Sequence, residues 1–138
     1  MSDREDWNSN IIQEFRANEG KVGGPFDGAP LLLLHTTGAR SGEERINPMM
    51  YLADGDRLVV FASKGGAPTN PGWYENLVAH PEAKIQVWDK IIPVTARTGT
   101  PADKKRVWPK MAEQWPGYND YQKGTKRDIP VVLLTPRR

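Results

Sequence analysis

The sequence contains no cysteine and only two histidines, His35 and His80, among its 138 residues. That excludes disulfides, thiolate nucleophiles and cysteine-rich metal sites together, and it leaves too few soft ligands for a metal centre. Charge of one sign is equally scarce, with 19 Lys and Arg against 17 Asp and Glu for a net charge of +2. No nucleic-acid partner is expected from so small an imbalance, and any anion site must be local. No apolar run approaches the roughly 18 to 20 residues that cross a bilayer. The opening Met1-Ser2-Asp3-Arg4-Glu5-Asp6 is too charged for a secretory leader, so a cytoplasmic protein is expected. Nor can a Ser-His-Asp order, a Walker loop, a GxGxxG or a pair of inward carboxylates be assembled from the chain.

What is present reads as one domain over residues 1–138 with many turns, given 13 Gly and 12 Pro. Trp7, Ile11 and Phe15, with Ile12 beside them, recur at helical spacing and predict an amphipathic helix over about 4–18 that packs on a sheet or lies on a membrane surface. Gly20 to Pro30 is too rich in Gly and Pro for regular structure. Leu31-Leu32-Leu33-Leu34 predicts a buried strand, and Gly38 to Gly42 a turn. Arg45 to Ala53 should pair back, interrupted at Pro48, and Asp54-Gly55-Asp56 signals a hairpin into a strand over Arg57 to Ala62. A helix from Pro71 to about His80 follows, then strands over Ala83 to Trp88 and Ile91 to Arg97 around a turn at Asp89-Lys90. Thr100-Pro101-Ala102-Asp103 has the cap, proline and acid of a helix start, which Pro109 should kink or divide. Trp115 to Tyr121 reads as an aromatic loop or broken helix, and Ile129 to Leu134 as a last strand. The expected architecture is α+β: a barrel of about six mostly antiparallel strands with peripheral helices.

Chemistry concentrates at strand ends. The apolar run Leu58 to Phe61 leads into Ala62-Ser63-Lys64-Gly65-Gly66 and then a helix start at Asn70-Pro71, a sequence able to cradle an anion. Arg40 and Arg45 on the first turn could add guanidinium forks; alternatively, these are solvated turn charges with Glu43 and Glu44 beside them. Trp73, Tyr74 and Leu77 read as core, Asn70 as a cap and Asn76 as a surface amide. Tyr118 and Tyr121 near Trp115 are either packing or an aromatic ligand wall. His35 reads as a satisfied strand-end histidine and His80 as a partner of a helix C-terminus. A chain so poor in reactive groups, yet with an anion cradle and an aromatic wall, suits a borrowed cofactor.

Several of these segments, taken in order, resemble the deazaflavin-dependent nitroreductase family: Thr36-Thr37-Gly38-Ala39-Arg40-Ser41-Gly42, Asn47-Pro48, Ala62 to Ala67, Asn70 to Leu77, Tyr118 to Gln122 and Asp128-Ile129-Pro130. The likeness covers about residues 15–135. It implies a split β-barrel that binds coenzyme F420, an 8-hydroxy-5-deazaflavin hydride donor bearing a phosphate and an oligoglutamate tail. Carried over, Ser63, Lys64, Gly65 and Gly66 would line the phosphate and ring, and Arg40 and Arg45 would hold acidic parts of the coenzyme. Asn47, Pro48, Asn70, Pro71, Trp73 and Asn76 would complete that wall. Ser63, Tyr118 and Tyr121 would be the catalytic candidates, hydrogen-bonding or positioning the acceptor. Met50 and Trp115 would line the substrate side with the two tyrosines. Those two positions depart from relatives that reduce nitroimidazoles well, which look to have tyrosine there. The implied partner is a small electron-poor acceptor such as a quinone or nitroaromatic, with no nucleic acid, weak membrane association through the first helix, and the oligomeric state left open. The alternatives are an FMN-binding split-barrel oxidoreductase and a non-catalytic deazaflavin carrier.

Overall fold

The computed structural model describes residues 3–18, 31–63, 69–87 and 90–137. The Gly/Pro segment up to Pro30, the Lys64–Pro68 stretch, and Trp88 and Asp89, the latter part of the expected Asp89-Lys90 turn, lie outside them. A helix α1 (Asp3–Ala17) precedes strands β1 (Leu31–Thr37), β2 (Glu44–Met50), β3 (Leu52–Asp54) and β4 (Arg57–Phe61). Helix α2 (Gly72–Ala79) leads to β5 (Glu82–Val87) and β6 (Lys90–Thr98). Helices α3 (Pro101–Gln114) and α4 (Gly117–Lys123) precede the last strand, β7 (Val131–Pro136).

The strands form one sheet in the order β2-β1-β5-β6-β7-β4-β3, and every neighbouring pair runs antiparallel. Strands β2 and β3 stand at opposite ends of that order, yet Tyr51 alone separates them in sequence. Laid flat, seven strands at the usual spacing of about 4.8 Å would hold the two ends roughly 29 Å apart. Two consecutive Cα steps span no more than about 7.6 Å. The sheet must therefore curl until its edges meet at Tyr51, and the result is the expected split barrel.

Its strand count is seven because Arg45 to Ala53 divides at Tyr51 and not at Pro48. Pro48 lies inside β2 opposite Leu33, on an end strand of the sheet where a missing N–H can be tolerated. The hairpin at Asp54 is as expected: Asp54 pairs with Arg57 across Gly55 and Asp56, and Gly55 takes the φ of +64° that this tight turn requires.

Alternation along the strands sends side chains to two faces. Leu32, Leu34, Val60, Ile85, Val94, Val132 and Leu134 join one cluster, sealed by Leu77 of α2, which is the barrel interior. On the outer face, Leu31 and Leu33 pack under Phe15, Ile11 and Ile12 of α1. This is why four consecutive leucines are all buried: β1 is covered on both sides. A second outer cluster sets Val59, Phe61, Val131 and Leu133 against Val107 and Met111 of α3. Helix α1 thus packs on the sheet, with Trp7's side chain outside what is described. Among the described residues no helix is long and apolar enough to cross a membrane.

Helix α3 runs unbroken through Pro109. Its N-terminus carries a full capping box, with Thr100 Oγ1 accepting from the Asp103 N–H (3.1 Å) and Asp103 accepting from the Thr100 N–H (2.9 Å). Burial of Val107, Met111 and Ala112 on either side of Pro109 holds the helix together where local preference alone predicts division. The aromatic segment after it folds as α4, starting at Gly117.

Candidate functional site

Strand β4 delivers Ser63 to the rim. Its ladder partner continues past the strand end, where the Ala62 N–H donates to the Pro130 carbonyl (2.9 Å), and Ser63 itself is buried. The carbonyls of Ala62 and Ser63 accept from the guanidinium of Arg127 at 3.1 and 2.8 Å, and the same group donates to Asn70 Oδ1 at 2.8 Å. Arg127 therefore binds both ends of the segment that carries Lys64, Gly65 and Gly66, three expected site residues outside the described set. Asn70 is not the cap of α2, as its position suggests. Pro71 occupies that place without a side-chain cap, and Asn70 faces Arg127.

Helix α2 is pinned to the end of β1 by Asn76. Its Oδ1 accepts from the Ala39 N–H (2.9 Å) and its Nδ2 donates to Thr36 Oγ1 (3.1 Å). Asn76 is thus a half-buried bracket and not the surface amide that its spacing suggests. It holds the Gly38–Gly42 turn, closed by Gly38 N–H to Glu43 O (2.7 Å) and by Gly42 at a φ of +71°. Arg40 stands exposed on this turn and makes no salt bridge among the described residues. Arg45, across from Thr36, is 3.5 Å from Glu43, and both side chains are exposed enough for the pair to be weak. Asn47 and Pro48 follow on β2, both half-buried, and Trp73 on α2 packs against the interior cluster.

The opposing wall is aromatic. Phe61, two residues before Ser63, meets Tyr118 with ring centroids 5.4 Å apart and Trp108 at 5.8 Å. Tyr118 in turn packs edge-on against Tyr121 at 5.3 Å, and its hydroxyl donates to Met50 Sδ at 3.9 Å. Burial pushes the Tyr118 hydroxyl up to about 12, with Tyr121 adding a smaller contribution, so Tyr118 is a neutral donor throughout the ordinary pH range. Trp115 packs into the same cluster, and its Nε1–H is buried without a hydrogen-bond partner among the described residues. An orphaned indole donor beside a neutral phenol suits a carbonyl-bearing ligand.

The structure thus joins Met50, Trp115, Tyr118 and Tyr121 in one neighbourhood and links Ser63 to Asn70. It places Asn76 beside the Arg40 turn. His35 departs from expectation: its Nδ1 is 3.6 Å from the Glu44 carboxylate and its Nε2 is buried with no partner among the described residues, because it shares the covered face of β1 with Leu31 and Leu33. Sequence reading missed Arg127, Gln122, Phe61 and Trp108. Gln122 offered a signal, one helical turn after Tyr118, whereas no local pattern sets Arg127 apart from its charged neighbours Lys126 and Asp128.

A family model described as F420H(2)-dependent quinone reductase matches residues 7–136. The chain belongs to that family. A quinone reductase of the same description from Mycobacterium tuberculosis is 44% identical over 127 residues, covering 89% of this chain and 85% of the relative. The solved structure of an F420-H2 dependent reductase, FDR-A, superposes with a TM-score of 0.70 at 39% identity, covering 76% of this chain and 93% of that one. The heme storage protein of Vibrio cholerae shares the architecture at a TM-score of 0.63 but only 14% identity, over 95% of this chain and 91% of its own. The barrel alone therefore does not select a cofactor, and membership in the quinone reductase family does.

Proposed function

We propose that the chain binds reduced coenzyme F420 along the wall formed by Ser63 to Gly66, Asn70, Pro71, Trp73 and Asn76. In this reading Arg40, Arg45, Asn47 and Pro48 complete that wall from the β1–β2 side. A quinone then stacks against Met50, Trp115, Tyr118 and Tyr121. The single observation that carries this arrangement is the packing of Phe61 on Tyr118, which ties the strand leading to Ser63 to the aromatic wall that reaches Met50. The donor set suits the two ligands, with an exposed Arg40 cation for the acidic parts of the coenzyme and two buried or half-buried donors for an acceptor carbonyl.

When bound, the coenzyme supplies the hydride. The protein orients the two rings and excludes water, for which apolar packing of Phe61, Trp108 and Met50 around Tyr118 is well suited. Tyr118 keeps its proton and donates to the oxygen on which negative charge develops, while Trp115 Nε1–H and the Ser63 hydroxyl steady the acceptor. Quinones are favoured over nitroimidazoles because Met50 and Trp115 stand where tyrosines would offer hydroxyls. Any membrane contact through α1 is weak, because its Ile11, Ile12 and Phe15 are committed to the sheet.

Fluorescence titration with the coenzyme tests the site. Micromolar binding in the wild type, weakened about tenfold in Lys64→Ala by loss of one charge-assisted contact, is the expected outcome. Absence of binding, or unchanged affinity in Lys64→Ala, would contradict the assignment.

A further inference from the structure

Resting on the cofactor wall proposed above, we infer that Arg127 is a positioning residue for coenzyme binding, setting the geometry of Ser63 and Asn70 from behind the site. The guanidinium spans three acceptors drawn from both ends of one segment: the carbonyls of Ala62 and Ser63 and the side-chain oxygen of Asn70, at 3.1, 2.8 and 2.8 Å. These acceptors lie 57 to 65 residues away in sequence, so no local structure would bring them together. A planar fork can serve several acceptors at fixed angles at once, which an ammonium on a flexible stem cannot.

Arg127 is itself anchored to the opposite wall. Gln122 of α4 donates through Nε2 to the Arg127 carbonyl (2.8 Å), while its Oε1 accepts from the Ile129 N–H (3.0 Å) and from Lys104 Nζ (2.7 Å). Lys104 also pairs with Asp128 and lies over the Trp108 ring at 4.8 Å from its centroid. Gln122 is on the same short helix as Tyr118 and Tyr121. One continuous set of hydrogen bonds thus runs from the aromatic helix through Gln122 and Arg127 to Ser63 and Asn70. It fixes the separation between the side assigned to the coenzyme and the side assigned to the acceptor. An ordinary structural arginine would bind one element; this one binds the two walls whose spacing hydride transfer depends on.

The test compares full-length wild type, Arg127→Ala and Arg127→Lys by coenzyme fluorescence titration, steady-state kinetics with a simple quinone, and amide hydrogen exchange without coenzyme. In Arg127→Ala the coenzyme Kd should rise on the order of tenfold to a hundredfold, as for lost hydrogen bonds from a charged group, while the quinone KM stays within about twofold. Exchange should quicken between Ser63 and Asn70 but not in β5 and β6, and millimolar guanidinium should restore most of the affinity. Arg127→Lys, which keeps charge and stem, should bind weakly as well and should not respond to guanidinium; it decides the matter should Arg127→Ala fail to fold. Wild-type affinity in the folded variants, or no rescue of a folded Arg127→Ala by guanidinium, overturns the inference while Lys64→Ala still reports on the site. A wild type that does not bind the coenzyme overturns the site assignment and this inference with it.

Discussion

At the scale of single residues, Tyr118 carries the sharpest electrostatic statement. Its hydroxyl ionises near 12 in the folded protein against 10.0 ordinarily, chiefly because the ring is buried. Between those values the unfolded chain gives up its proton first, so stability is fully present below pH 10 and falls as pH rises toward 12. Tyr118→Phe should flatten that alkaline limb in denaturant titrations. It should also lower quinone turnover about a hundredfold with coenzyme affinity unchanged, as expected for loss of one donor to developing charge. A Tyr118 phenol that titrates near 10, read as the difference between wild type and Tyr118→Phe, would contradict the assignment. The residues of the candidate site were only partly legible in sequence. Ser63, Tyr118 and Met50 stood out through motif and chemistry, but Arg127 and Asn76 act across 37 to 65 residues of chain, and nothing local distinguishes a bracket from a solvated side chain.

At the scale of elements, local rules worked where one chemistry governs the outcome and failed where packing competes. The start of α3 was readable because Thr100, Pro101 and Asp103 answer the unpaired amides of a helix end. Hydrogen bonds from Thr100, backbone first, together with the nearby Arg106 and Arg97, hold the Asp103 carboxyl well below its usual range despite partial desolvation. Its contribution is therefore present above pH 3.8 and lost as pH falls further. Thr100→Ala should cost about 1 kcal/mol near neutral pH, with the gap to wild type narrowing in acid. Equal stability of the two proteins at pH 7, measured by urea unfolding, would show that the cap contributes nothing. Pro109 illustrates the opposite case, since three buried neighbours on α3 keep helical a segment that backbone preference would divide. Likewise Pro48 was expected to break a strand, and its place in an end strand removes the reason.

At the scale of the molecule, the barrel was legible because hairpin spacing and period-2 alternation both demand an antiparallel sheet. The strand order was not, because only the pairing of β4 with β7 puts β3 at the far end of the sheet from β2, its neighbour across Tyr51. Within the barrel Arg127 links Ser63 to Asn70 ahead of α2 and to Gln122 of α4, and Asn76 ties α2 to the β1–β2 turn; in the proposed reading one wall then faces the coenzyme and the other the acceptor. The claim is tested most directly by mixing the purified protein with reduced coenzyme F420 and a simple quinone and following the return of oxidised coenzyme by absorbance. The account predicts protein-dependent oxidation that saturates with quinone and is lost on weakening either wall, by Lys64→Ala or by Tyr118→Phe. Oxidation no faster than in buffer, or equal rates in all three proteins, would contradict it.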